Sequence, residues 1–181
     1  GSMTNFFGTI NFGTNTGFVR LNNNETFNLG SSNVTFNLGT GNLLFSQRNG
    51  NTTTYLGGLV GGPNTKLSGS RSDVPGPETY VIGGNNLSTE FDGMITNGTA
   101  GSSTVILIKD GTGTLALGGT NVYTGSTTIS AGVLALVGNG VISNSPTILV
   151  PTNTVLDSSG RVDGTMTLNS GQTLKGSGTI R

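Results

Sequence analysis

Glu90 and Asp92 are the carboxylates whose spacing could do chemistry. Two residues apart, they point to one side if a single strand runs through both. Outward acidic side chains on a coiled β-scaffold can hold Ca²⁺ beside a basic proton acceptor, as polysaccharide lyases require. Asp73 with Glu78, or Asp157 with Asp163, would add to such a site only if folding brought them close. No third acid or paired base lies near Glu90 and Asp92 in sequence, so the pair reads first as solvated surface charge. No catalytic, cofactor-binding or metal-ligating residue is therefore expected, and Glu90 and Asp92 stand as a weak candidate pair.

Three other groupings invite chemistry and give a plainer reading. Gly111-Thr112-Gly113 and Gly176-Ser177-Gly178 resemble phosphate cradles, but a cradle needs a helix N-terminus behind it and no helix is predicted. They read as corner glycines. Asn121 and Tyr123 could form a sugar-stacking pair; the simpler reading packs the ring along a coil edge and bonds the amide to turn backbone. Thr52-Thr53-Thr54 and Ser126-Thr127-Thr128 are too raggedly spaced for a flat threonine array.

Composition removes whole classes of function. The chain has 181 residues with no Cys and no His, which excludes disulfides, thiol catalysis and zinc sites of the usual Cys/His type. Eight basic residues balance eight acidic ones, and no basic patch is visible, so no nucleic-acid partner is expected. No apolar run approaches the ~20 residues that span a bilayer, and direct membrane insertion is not expected. Gly1-Ser2-Met3 reads as a cloning scar.

The elements that must position these residues are strands. Helical spacing of apolar residues is missing, whereas short alternating runs recur between Gly, Asn and Ser turns. Strands are predicted at 26–29, 34–38, 43–46, 79–82, 88–91, 105–109, 114–117, 127–130, 133–136, 147–150, 154–157, 165–169 and 173–175. Leu115, Leu134, Leu156 and Leu174 form one column recurring about every 20 residues, and Ile129, Ile148 and Leu168 a second. The echo of Thr26-Phe27-Asn28-Leu29-Gly30 in Thr35-Phe36-Asn37-Leu38-Gly39 reads as two strands across a short turn, adjacent faces of one coil in preference to a hairpin. Residues 61–78 contain Pro63, Pro75 and Pro77, which cannot donate to a ladder, and are predicted to protrude as a loop. The whole implies a single parallel β-solenoid over residues 4–181. At roughly 20 residues per coil it makes about nine coils, a rod on the order of 40 Å long.

Residues 109–134 carry a specific pattern. Lys109, Gly111, Gly113, Leu115, Leu117, Gly119, Asn121, Tyr123, Gly125, Thr127, Ile129, Gly132 and Leu134 fall on K-x-G-x-G-x-L-x-L-x-G-x-N-x-Y-x-G-x-T-x-I-x-x-G-x-L. The segment resembles the autotransporter-associated β-strand repeat, also called the passenger-associated transport repeat. It departs only at Gly118, where Ser or Thr is commoner. The resemblance implies an all-β, right-handed parallel β-helix in a secreted or surface-exposed passenger of a Gram-negative bacterium. Such a passenger is held at the outer membrane through a domain elsewhere in the parent.

The implied function is structural and non-enzymatic: supporting passenger secretion and folding, and forming a stalk. Its partners would be other β-helix coils of the parent, with end-to-end self-association through unpaired coil edges. One alternative is an adhesin-type module binding host or matrix glycan or protein. A less favoured one is a Ca²⁺-dependent polysaccharide-degrading enzyme on the same scaffold.

Overall fold

Each run of alternating apolar and small polar residues is cut short by Gly, Asn or Pro, so each strand is short and must bury its inner face against the next coil. The computed structural model describes residues 5–21, 30–71, 74–99 and 103–181 and contains no helix among them. The predicted scar at 1–3, the strand at 26–29 with its share of the echo, and Asp73 lie outside the described residues.

Three parallel sheets form the walls of a β-solenoid. The first has eight strands: β1 (Gly8–Asn11), β3 (Ser31–Asn37), β5 (Thr52–Val60), β7 (Glu78–Ile82), β10 (Val105–Lys109), β12 (Thr127–Ile129), β14 (Thr147–Val150) and β16 (Thr173–Gly176). The second stacks β2 (Gly17–Leu21), β4 (Leu43–Gln47), β6 (Lys66–Ser68) and β9 (Met94–Thr96) in the N-terminal half. The third stacks β8 (Thr89–Phe91), β11 (Thr114–Leu117), β13 (Val133–Gly138), β15 (Val155–Arg161) and β17 (Thr179–Ile180) in the C-terminal half. The coil containing β7, β8 and β9 contributes to all three walls.

Inward residues stack on their counterparts one coil away. Tyr80 lies on Leu107, Leu107 on Thr127, Thr127 on Ile148 and Ile148 on Leu174. Leu115, Leu134 and Leu156 form a second inward column. With Phe36, Phe45, Leu67, Phe91 and Ile95 they make one continuous core along the solenoid axis.

The registers correct several expectations. A coil takes from 19 residues (Leu115 to Leu134) to 28 (Lys66 to Met94), so there are fewer than nine coils. The leucine column holds through Leu156, but its next partner is Ile180, and Leu174 belongs to the first sheet beneath Ile148. The expected column of Ile129, Ile148 and Leu168 does not exist: Ile148 faces Thr127, Ile129 faces Lys109, and residues 165–169 form no strand. Apolar spacing misled here because the inward position in β12 is filled by a threonine. Residues 61–78 are not one protruding loop. Within them β6 pairs with β4 and β9, and Leu67 is fully buried.

Candidate functional site

The repeat residues build one coil and its corners. Leu115, Leu117, Ile129 and Leu134 point into the core. Gly111 and Gly132 turn with positive φ, 72° and 67°, where a side chain would strain the backbone. At Gly119 a Cβ would sit 2.0 Å from the Gly93 carbonyl oxygen, so the coils can approach only without one. The Gly111-Thr112-Gly113 corner is pinned from the previous coil, Thr112 N donating to Asn86 Oδ1 at 2.9 Å. Ser177, in the second Gly-x-Gly, shares a 2.6 Å hydroxyl bond with Thr152.

Asn121 is a buried backbone clamp across three coils. Its Oδ1 accepts from Ile95 N at 2.9 Å, and its Nδ2 donates to Gly119 O at 2.9 Å and Val141 O at 3.0 Å. Tyr123 is fully buried, with its hydroxyl 2.6 Å from Thr127 Oγ1, and Thr127 Oγ1 is 2.9 Å from Ser145 Oγ. Burial pushes the phenol pKa up, against the hydrogen bond from Thr127. A ring so enclosed presents no face to a sugar.

Lys109 is the chemical surprise of the repeat. It is 1% exposed, and its Nζ donates to the carbonyls of Asp110 (2.7 Å), Gly111 (2.8 Å) and Ala131 (3.1 Å). The ammonium thus caps the corner of its own coil and that of the next. Desolvation pulls its pKa down to about 8, opposed by the charge of Asp110.

Glu90 and Asp92 are exposed and line one groove of about 610 Å³ with Asn11, Thr14, Asn37 and Thr40. The strand ends at Phe91, and Asp92 starts the following corner. In this groove Asn11 and Asn37 stack in register, each accepting from the backbone N–H two residues on, at Gly13 (2.8 Å) and Gly39 (2.9 Å). Asp157 shares the outward column of Glu90 but lies three coils away, about 14 Å at strand spacing. Its pKa is lowered by hydrogen bonds from Ser159. Asp163 is held at about 2 by the bidentate Arg161 guanidinium. Among the described residues no group of three or more potential metal ligands converges.

These geometries fit a known repeat. Residues 107–136 match the passenger-associated-transport-repeat family. The match covers the repeat residues from Lys109 to Leu134. No curated protein and no solved structure gives a significant match to the chain.

A polar cluster inside the solenoid escaped the sequence reading. Glu78 is fully buried; Thr52 Oγ1 donates to its Oε2, and Thr54 Oγ1 to its Oε1 at 2.8 Å. Gln47 Nε2 donates to Thr54 Oγ1 at 2.5 Å. Desolvation raises the carboxyl pKa to about 7 despite the two threonine bonds. Tyr80, inward on the same strand, donates its hydroxyl to Ser68 O at 2.7 Å. Its own pKa is raised by burial and then by Glu78. The available signal was the alternation of β7: Glu78, Tyr80 and Ile82 share a parity, and Ile82 had to face inward.

Proposed function

We propose that this chain is a structural, non-enzymatic β-solenoid segment of an exported bacterial passenger, displayed at the surface of a Gram-negative cell. The passenger-associated repeat at 107–136, set within a stack of parallel coils, carries this reading. Each coil buries its apolar face only against its neighbours, so a chain emerging at the surface gains core contacts coil by coil. That gain opposes backsliding and leaves a rod that serves as a stalk.

The test is surface display. Placed between a signal sequence and an outer-membrane β-barrel in a Gram-negative host, the segment should reach the surface in a protease-resistant form. Leu134→Asp, which puts a charge between Leu115 and Leu156, should lower the resistant fraction severalfold. Equal display and equal resistance for both would sink the reading.

The groove between the Asn11–Asn37 stack and the Glu90–Asp92 pair favours a second reading, an adhesin-type module. Its amide, hydroxyl and carboxylate lining suits the hydroxyls of a glycan. Binding of a glycan array that is lost in an Asn37→Ala, Asp92→Ala double variant would bring this reading forward.

A further inference from the structure

We propose that Thr54 and Gln47 join through an intramolecular ester, formed autocatalytically with Glu78 as the acid–base group. The three side chains are fully buried and linked in one chain of contacts. The nucleophile is Thr54 Oγ1, whose proton lies on Glu78 Oε1 at 2.8 Å. The electrophile is the Gln47 carboxamide, with Nε2 2.5 Å from that same oxygen. A hydroxyl between a base and an acyl carbon is the layout of nucleophilic acyl transfer.

The step balances without a co-reactant. Glu78 takes the Thr54 hydroxyl proton as Oγ1 attacks Cδ of Gln47, and negative charge gathers on Oε1. Glu78 then returns the proton to Nε2, the C–N bond breaks, and ammonia leaves. The product is Thr54–O–C(=O)–Gln47 with Glu78 restored. A carboxyl poised near neutrality can serve in both directions.

Two further observations support the site. Gln47 Oε1 is buried with no hydrogen-bond partner among the described residues, a costly state for an amide oxygen. An ester carbonyl is a weaker acceptor, so the reaction lessens that cost. The surroundings also keep bulk water from the product, since Tyr80, Phe45 and Leu56 are fully buried with the cluster. The bond would staple the corner from β4 to β5, seven residues apart, where one coil passes into the next.

Mass spectrometry of the folded protein tests this. The intact chain should be lighter by one ammonia. Trypsin cleavage after Arg48 places Gln47 and Thr54 on separate peptides, 21–48 and 49–66, which should instead appear as one joined species. Fragmentation should locate the link at those two residues. Thr54→Val should give the full mass and separate peptides, whereas Thr54→Ser should retain the bond. Glu78→Gln should slow formation about 100-fold or more. Circular dichroism confirms folding of each variant, and if Thr54→Val does not fold, the wild-type and Thr54→Ser masses decide. Full mass with separate peptides after long incubation of the folded wild type at neutral pH would overturn the proposal. So would an ammonia loss that maps to Asn49-Gly50, Asn97-Gly98 or Asn139-Gly140.

Discussion

Two buried ionisable side chains, Glu78 and Lys109, give this net-neutral chain a pH profile. Glu78 has its carboxyl raised from 4.5 to about 7 by desolvation. The folded state therefore holds a proton that the unfolded state releases between those values. The associated stability is complete below pH 4.5 and is lost as pH rises through about 7, on the order of 3 kcal/mol. Lys109 acts in a higher window. Its pKa falls from 10.5 to about 8, so the unfolded state binds the extra proton between them and stability climbs as pH rises from 8 to 10.5. Asp163, held low by Arg161, loses its contribution only as pH falls below 3.8 toward 2. Urea midpoints measured from pH 5 to 10 should thus pass through a minimum near pH 7 to 8. Glu78→Gln, which keeps the volume and removes the titration, should flatten the acid side of that minimum. A midpoint that rises steadily from pH 5 to 7 would contradict the burial of Glu78 as an acid.

At the scale of the coil, contact between backbones competes with side-chain packing as the source of stability. Gly119 meets the Gly93 carbonyl where a Cβ would fall at 2.0 Å, so Gly119→Ala must push two coils apart. Leu134→Ala only empties part of the core, for about 2–5 kcal/mol. Chemical denaturation should therefore rank Gly119→Ala as at least as damaging as Leu134→Ala, although it adds a single methyl group. The reverse order, with Gly119→Ala near neutral, would show that the corner can relax. The same competition decides what could be read from the sequence. Leu115, Leu134 and Leu156 announced their column because leucine fills each inward position. The first sheet hid its own, because Thr127 takes an inward position and satisfies its hydroxyl with Tyr123 and Ser145. β1 and β2 passed unnoticed because their inner residues are few and only partly buried. Corners containing Pro63 looked like a loop, yet Leu67 three residues past the turn restores the coil. Of the Glu78 cluster only the inward parity of Glu78 in β7 was legible: Thr54 meets it through coil stacking and Gln47 reaches Thr54 round the β4–β5 corner, neither of which a local pattern encodes.

A solenoid stacked in one direction ends in two unlike parallel edges. Among the described residues, β1 pairs only with β3 and β2 only with β4 at one end; at the other β16 pairs only with β14 and β17 only with β15. Phe6, Phe7 and Phe18 are exposed near the first edge, and Leu168 and Ile180 near the second. Because the edges differ, one copy meets another head to tail, and such a contact repeats without closing. We propose that copies of this chain associate in this way, the outer strands pairing as the coils within each copy do. Sedimentation velocity over a hundredfold range of concentration should show the average mass rising, with elongated oligomers rather than a discrete dimer. Ile180→Lys, in which the charge would have to be desolvated against the incoming β-edge, should shift the rise to higher concentration without changing the thermal midpoint of the dilute protein. A single monomeric boundary at every concentration would mean that the edges are covered by the chain's own side chains. The stacking energy that builds the rod would then be confined within each copy.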